Sequence, residues 1–101
     1  EPIEIEELRI DPRNVQAYVD GRTCELTPTE FRLLYALALE RGRVVTRDEL
    51  LHLVWGYSDA PLTRTVDNFI FRLRHKLEPD PRHPTFIRKA YGDGYRLVLA
   101  D

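Results

Sequence analysis

The chain has 101 residues, 43% of them hydrophobic and 32% charged, which suits one soluble globular domain with a modest core and excludes a disordered segment. A formal net charge of −2 and a pI near 5.9 argue, taken alone, against a nucleic-acid partner. Cys24 is the only cysteine, so no internal disulfide can form and a reducing cytoplasm is the natural setting. No apolar run approaches the roughly 18 residues of a membrane span, and the opening EPIEIEEL has neither the basic start nor the apolar middle of a signal peptide. The charge is divided along the chain: residues 1–60 carry seven basic and twelve acidic side chains, net −5, and residues 61–101 carry eight and five, net +3. A solvated surface with chance clustering gives such a split too.

Ile3, Ile5, Leu8 and Ile10, spaced among acids, predict short edge strands broken at Asp11-Pro12, since Pro12 cannot donate to a ladder. NVQAYV and RTCEL flank Asp20-Gly21, a two-residue signal for a type I′ hairpin, with Val15, Ala17 and Val19 alternating onto one face. Residues 1–26 therefore read as an acidic antiparallel sheet of three or four strands. Thr27-Pro28-Thr29-Glu30 is a helix start with Thr27 as N-cap, Pro28 at the first helical position and Glu30 closing a capping box. The first helix runs to about Glu40 and stops at Gly42. Thr46 and Glu49 repeat the box ahead of a short apolar second helix, Leu50 to Trp55, ended by Gly56.

Thr63 to Leu77 forms the third helix, and its periodicity puts Val66, Ile70, Leu73 and Leu77 in one narrow buried stripe. The opposite arc carries Arg64, Asn68, Phe71, Arg72 and His75, while Arg74 and Lys76 flank the stripe. Asp67 is the only acid in this segment. Three prolines in EPDPRHP then exclude helix and strand, and the stretch from Phe86 to Leu99 reads as a hairpin turning at Tyr91-Gly92-Asp93-Gly94. The order is sheet (about 1–26), three helices (27–77), hairpin (about 85–99). This is an α+β winged helix-turn-helix domain, in which the third helix is the groove reader.

LTPTEFRLLYAL, RVVTRDELLHLVWG, RTVDNFIFRLRHKLEPD and GDGYRL, in that order, resemble the effector domain of the OmpR/PhoB family of bacterial response regulators. The likeness runs from Leu26 to Leu97. It implies transcriptional regulation as the output of a two-component system, in the cytoplasm, by sequence-specific binding of double-stranded DNA. It also implies a homodimer on tandem direct repeats, and a phosphorylatable receiver domain ahead of Glu1. A first residue that is not Met fits a piece excised from such a protein. The connection Tyr57 to Leu62 corresponds to the loop that often meets RNA polymerase in the family.

Arg72, in the RLR core of the family motif, is the first candidate for a base contact, bidentate to guanine and worth about 1–3 kcal/mol of discrimination. Asn68 can read adenine by its amide, and Phe71 can press on a thymine methyl or on sugar carbons. Solvated polar surface is the plain alternative for Arg72 and Asn68, and a contact with the wing for Phe71. Arg64 and Thr65 at the helix start suit a phosphate. Arg74 suits a phosphate or an ion pair with Asp67, and Lys76 is a further backbone candidate. By resemblance, Trp55 occupies a position that touches the DNA backbone, with core packing as its alternative, and the Tyr95 hydroxyl is a phosphate donor. Arg88 and Lys89 can hold flanking phosphates, a sequence-independent role.

Family members often carry histidine where Phe69 stands and a basic residue where Phe71 stands, so this chain offers fewer phosphate donors. At the wing tip, Tyr91, Gly92, Asp93 and Gly94 stand in a family pattern that reads T-V-R-G-x-G-Y. Tyr91 replaces its arginine, and Asp93 adds a negative charge. His52, His75 and His83 have no ligand spacing, so neither a metal site nor a cofactor is expected. No nucleophile and base pair up, so there are no catalytic residues and no enzyme. The competing reading is a winged-helix protein-interaction module with little or no DNA binding, favoured by the net charge and by Tyr91.

Overall fold

A computed structural model describes residues 1–56, 63–90, 92 and 94–98. The acidic N-terminal region is a four-stranded antiparallel meander of β1 (Ile3–Ile5), β2 (Leu8–Asp11), β3 (Gln16–Val19) and β4 (Arg22–Cys24), in that spatial order. Its β3–β4 turn has Asp20 and Gly21 at φ 54° and 81°, the paired positive angles of a type I′ turn, closing on Val19 opposite Arg22. Leu8, Ile10, Ala17 and Val19 point inward and are buried.

Val15 does not join that face. It ends a turn at φ 54° and is 50% exposed. The cause is Asp11, whose carboxylate accepts hydrogen bonds from the Arg13 and Asn14 amides and from the Asn14 side chain. This side-chain-held turn keeps the chain out of the ladder until Gln16, so the alternation begins later than the residue pattern predicts.

Helix α1 (Pro28–Leu39) starts on the expected capping box: the Glu30 amide donates to Thr27 Oγ1 and Glu30 Oε1 accepts from the Thr27 amide. Thr46 and Glu49 repeat the arrangement at α2 (Arg47–Leu50). That helix then widens into a π-helical turn, Leu51–Trp55, ended by Gly56 at φ 81°. The widened turn leaves Leu53 58% exposed while Leu51 and Val54 stay buried, so this helix is less enclosed than its apolar sequence predicts.

Helix α3 (Thr63–Leu77) buries the predicted stripe of Val66, Ile70, Leu73 and Leu77 in the common core, together with Leu33, Leu34 and Leu37 of α1. The wing sheet has one strand more than the sequence pattern suggests. Besides β6 (Ile87–Ala90) and β7 (Gly94–Leu97), the two-residue strand β5 (Val45–Thr46) pairs with Tyr95 and Gly94 as a third strand. The Gly42 amide also donates to Leu97 O at 3.0 Å. The link between the first two helices is therefore hydrogen-bonded to the wing. The close approach requires glycine at 94, because a Cβ there would lie 2.6 Å from Val45 O. No helix among the described residues is long and apolar enough to cross a membrane.

Candidate nucleic-acid interface

With its stripe buried, α3 turns Arg64, Asn68, Phe71, Arg72 and His75 to solvent as one continuous arc, with Thr65 half-buried at its edge. Phe71 is 62% exposed and leans on His75, the ring centres 4.3 Å apart, while His75 Nδ1 lies 2.9 Å from Phe71 O. Among the described residues, the ring partner of Phe71 is thus on its own helix. Arg72 lies over a different aromatic: its guanidinium carbon is 4.7 Å from the centre of the Phe69 ring. Phe69 is half-buried and meets Trp55 edge-on at 5.1 Å, so Trp55, also half-buried, backs α3.

Asp67 is held by two elements. Its Oδ1 accepts from the Tyr95 hydroxyl at 2.6 Å, and its Oδ2 pairs with Arg47 Nη1 at 2.7 Å. The one acid of α3 is therefore charge-compensated beside the basic arc. Burial, and then the bond to Asp67, push the Tyr95 phenol up to about 12. The Tyr95 hydroxyl, a candidate phosphate donor, donates to Asp67 here, and the residue is 4% exposed.

Arg74 does not form the expected ion pair with Asp67. It donates twice to Ile87 O, from Nε at 3.1 Å and Nη2 at 3.0 Å, and so ties α3 to β6. Lys76 likewise has an internal partner, Glu30 Oε1, at 2.7 Å. Burial alone would raise the Glu30 carboxyl, but the hydrogen bonds from Lys76 and the Thr27 amide outweigh it and hold the group below its ordinary range. Both cations flank the core stripe, and each has an internal partner, Arg74 half-buried and Lys76 still exposed.

At the wing, Arg88 and Arg96 are exposed and directly opposite in the β6–β7 register, and exposed Lys89 is opposite Tyr95. Glu78, directly after α3, fixes the start of this hairpin: its buried carboxylate accepts the amides of Thr85, Phe86 and Ile87 at 2.6 to 3.0 Å. Gly92 is exposed at φ 103°. Tyr91, Asp93 and the connection Tyr57 to Leu62 lie outside the described residues.

The sequence shows Phe69 only as a departure from the family histidine and gives no role to Glu78. Phe69 could have been found by its i, i+3 spacing to Arg72, which makes them neighbours on a helix. Glu78 has no local signal, because its partners lie seven to nine residues away across a proline-rich turn.

Residues 21–97 match the model of a family described as "Transcriptional regulatory protein, C terminal". The alkaline phosphatase synthesis transcriptional regulatory protein PhoP of Bacillus subtilis (strain 168) is 45% identical over 95 residues, covering 94% of this chain and 40% of that protein. The chain spans about 40% of the length of the curated relatives it matches. Among solved structures, the DNA-binding domain of CpxR from E. coli superposes with a TM-score of 0.86 at 38% identity, covering 100% of this chain and 99% of that one. The Klebsiella pneumoniae RstA DNA-binding domain, solved in complex with the RstA box, gives a TM-score of 0.89 at 33% identity, covering 97% of each chain. The chain belongs to this C-terminal family of transcriptional regulatory proteins, the winged-helix effector domains of OmpR/PhoB response regulators.

Proposed function

We infer that this domain binds double-stranded DNA in a sequence-specific manner, with α3 in the major groove, as the output domain of a two-component transcriptional regulator. The observation that carries the reading is the exposed arc of α3. It presents two arginines, an amide and an aromatic ring outward, while the opposite face of the helix is wholly core. A 15-residue helix is about 22 Å long, and the major groove admits one. The RstA DNA-binding domain, of the same fold, was solved in complex with the RstA box, which supports DNA binding.

Within this reading, Arg72 and Asn68 contact base edges, and Phe71 contacts thymine methyls or sugars. Arg64, Thr65, Arg88 and Lys89 hold phosphates, while Trp55 borders the backbone at the end of the second helix. Arg74, Lys76 and Tyr95 act indirectly, by fixing α3 against the wing and against α1. The assembly is a homodimer on tandem direct repeats in the cytoplasm, driven by a receiver domain and contacting RNA polymerase through Tyr57 to Leu62. Family membership supports these partners.

The test is selection of bound sequences from a random duplex library, followed by affinity measurements across a salt series. Enrichment of a defined motif is expected, with log affinity falling against log salt by about 0.9 per phosphate contacted. Failure to bind any duplex at low salt would leave a protein-interaction module as the better reading.

A further inference from the structure

We propose that Phe69 is a positioning residue for sequence recognition: its ring orders the Arg72 guanidinium before DNA arrives. The inference rests on the reading of Arg72 as a base-contacting side chain. A free arginine samples many rotamers, and a bidentate contact to guanine needs its planar fork held near the plane of the base. Here Arg72 is exposed, yet its guanidinium carbon lies 4.7 Å from the centre of the Phe69 ring, within the range of a cation–π contact. Phe69 is itself held. It is half-buried against the core, and Trp55 meets it at 5.1 Å with planes 68° apart, an edge-on packing. Arg72 thus rests on a ring that the end of the second helix keeps still.

The exposed aromatic of the same helix does not do this. Phe71 pairs with His75, so the two rings have separate partners. One of them supports the arginine, and the other is turned to solvent. A side chain that is already ordered loses less freedom on binding, so the stack raises affinity at the site where Arg72 finds its guanine. A cation–π contact at an exposed site corresponds to about two- to five-fold in affinity.

The experiment is a double-mutant cycle on the whole 101-residue chain, with the duplex enriched from a random library and variants of that duplex changed at each guanine. Phe69→Leu should lose about two- to five-fold on the selected duplex in the Arg72 background and nothing further in the Arg72→Ala background. Phe69→Tyr, which keeps the ring, should retain affinity. Without DNA, the Arg72 δ-methylene protons should show an upfield ring-current shift that collapses in Phe69→Leu while the other α3 resonances keep their folded positions, which separates loss of the stack from loss of the helix. Equal losses from Phe69→Leu in both backgrounds, or no upfield shift in the parent protein, would overturn the positioning role while leaving base reading by Arg72 intact. If Arg72→Ala instead weakens selected and random duplexes alike, base reading itself is wrong and the inference falls with it, whatever the ring-current shift.

Discussion

The Tyr95 hydroxyl donates to Asp67 at 2.6 Å, and this bond joins the wing to α3. Asp67 takes Arg47 on its other oxygen, so α2, α3 and β7 meet at one carboxylate. Hydrogen bonds to a charged acceptor contribute about 1.5–3 kcal/mol, and the partial exposure of Asp67 puts this one toward the low end. Tyr95→Phe should therefore destabilise the domain by about 1–2 kcal/mol in denaturant unfolding. Asp67→Ala, which removes both bonds, should cost more. The phenol adds a pH dependence. Its folded value, about 12, lies above the ordinary 10.0, so the folded state holds the proton more tightly than the unfolded chain. The contribution is complete below pH 10 and is lost as pH rises through about 12. Tyr95→Phe should flatten this alkaline loss, and following unfolding against phenolate absorbance checks it.

Lys76 and Glu30 give a prediction at the acid end. The Glu30 carboxyl is held below its ordinary 4.5, so its stabilisation is present above that value and is lost as pH falls through the lowered folded one. In Lys76→Ala the burial of Glu30, 2% exposed, is no longer offset by its strongest partner. The acid unfolding midpoint should move to higher pH, with a cost at neutral pH of about 1–3 kcal/mol, below that of a fully buried pair because Lys76 is partly open to water. The same variant should leave the salt slope of DNA binding unchanged. A slope lower by about 0.9 would return Lys76 to the phosphate contacts.

Glu78 should be the most costly carboxylate to remove. It serves three consecutive amides in a buried setting, and Ala at this position leaves those donors without their acceptor. The expected loss is about 3 kcal/mol or more. Hydrogen exchange at Thr85, Phe86 and Ile87 should accelerate more than exchange in α1. Uniform acceleration across the domain would show that Glu78 contributes only to global stability and does not fix the wing locally.

The features that residue patterns predicted well are those written within one turn or one helix. Both capping boxes, the Asp20-Gly21 turn and the stripe from Val66 to Leu77 depend on neighbours no more than four residues apart, and each is present. The misplaced features depend on partners distant in the chain. Lys76 is 46 residues from Glu30, and Tyr95 is 28 from Asp67, so no local pattern shows that their polar groups are engaged. Val45–Thr46 is too short to show a period of two, and it is a strand only because the wing folds back beside it. An amphipathic wheel assigns a direction to each side chain. It does not say whether a cation at the edge of the stripe finds water, a carboxylate, as Lys76 does in Glu30, or a backbone carbonyl, as Arg74 does in Ile87.

The pairing of Arg88 with Arg96 sets stability against binding. The two cations are directly opposite on adjacent strands and both exposed, an arrangement that destabilises an isolated hairpin. A phosphate close to both would reverse the sign of that interaction. Arg96→Ala should therefore stabilise the free domain by a few tenths of a kcal/mol, up to about 1 kcal/mol at low salt, where screening is weakest. The same substitution should weaken DNA binding for all sequences alike and lower the salt slope by about 0.9 if Arg96 neutralises one phosphate. Arg88→Ala should behave the same way, and the double variant should gain little further stability, because the repulsion is already removed by either single change. Thermal unfolding and anisotropy titrations on the four proteins check both halves. Stability unchanged in all three variants would mean that water screens the pair fully, and an unchanged salt slope would place the wing away from the phosphates.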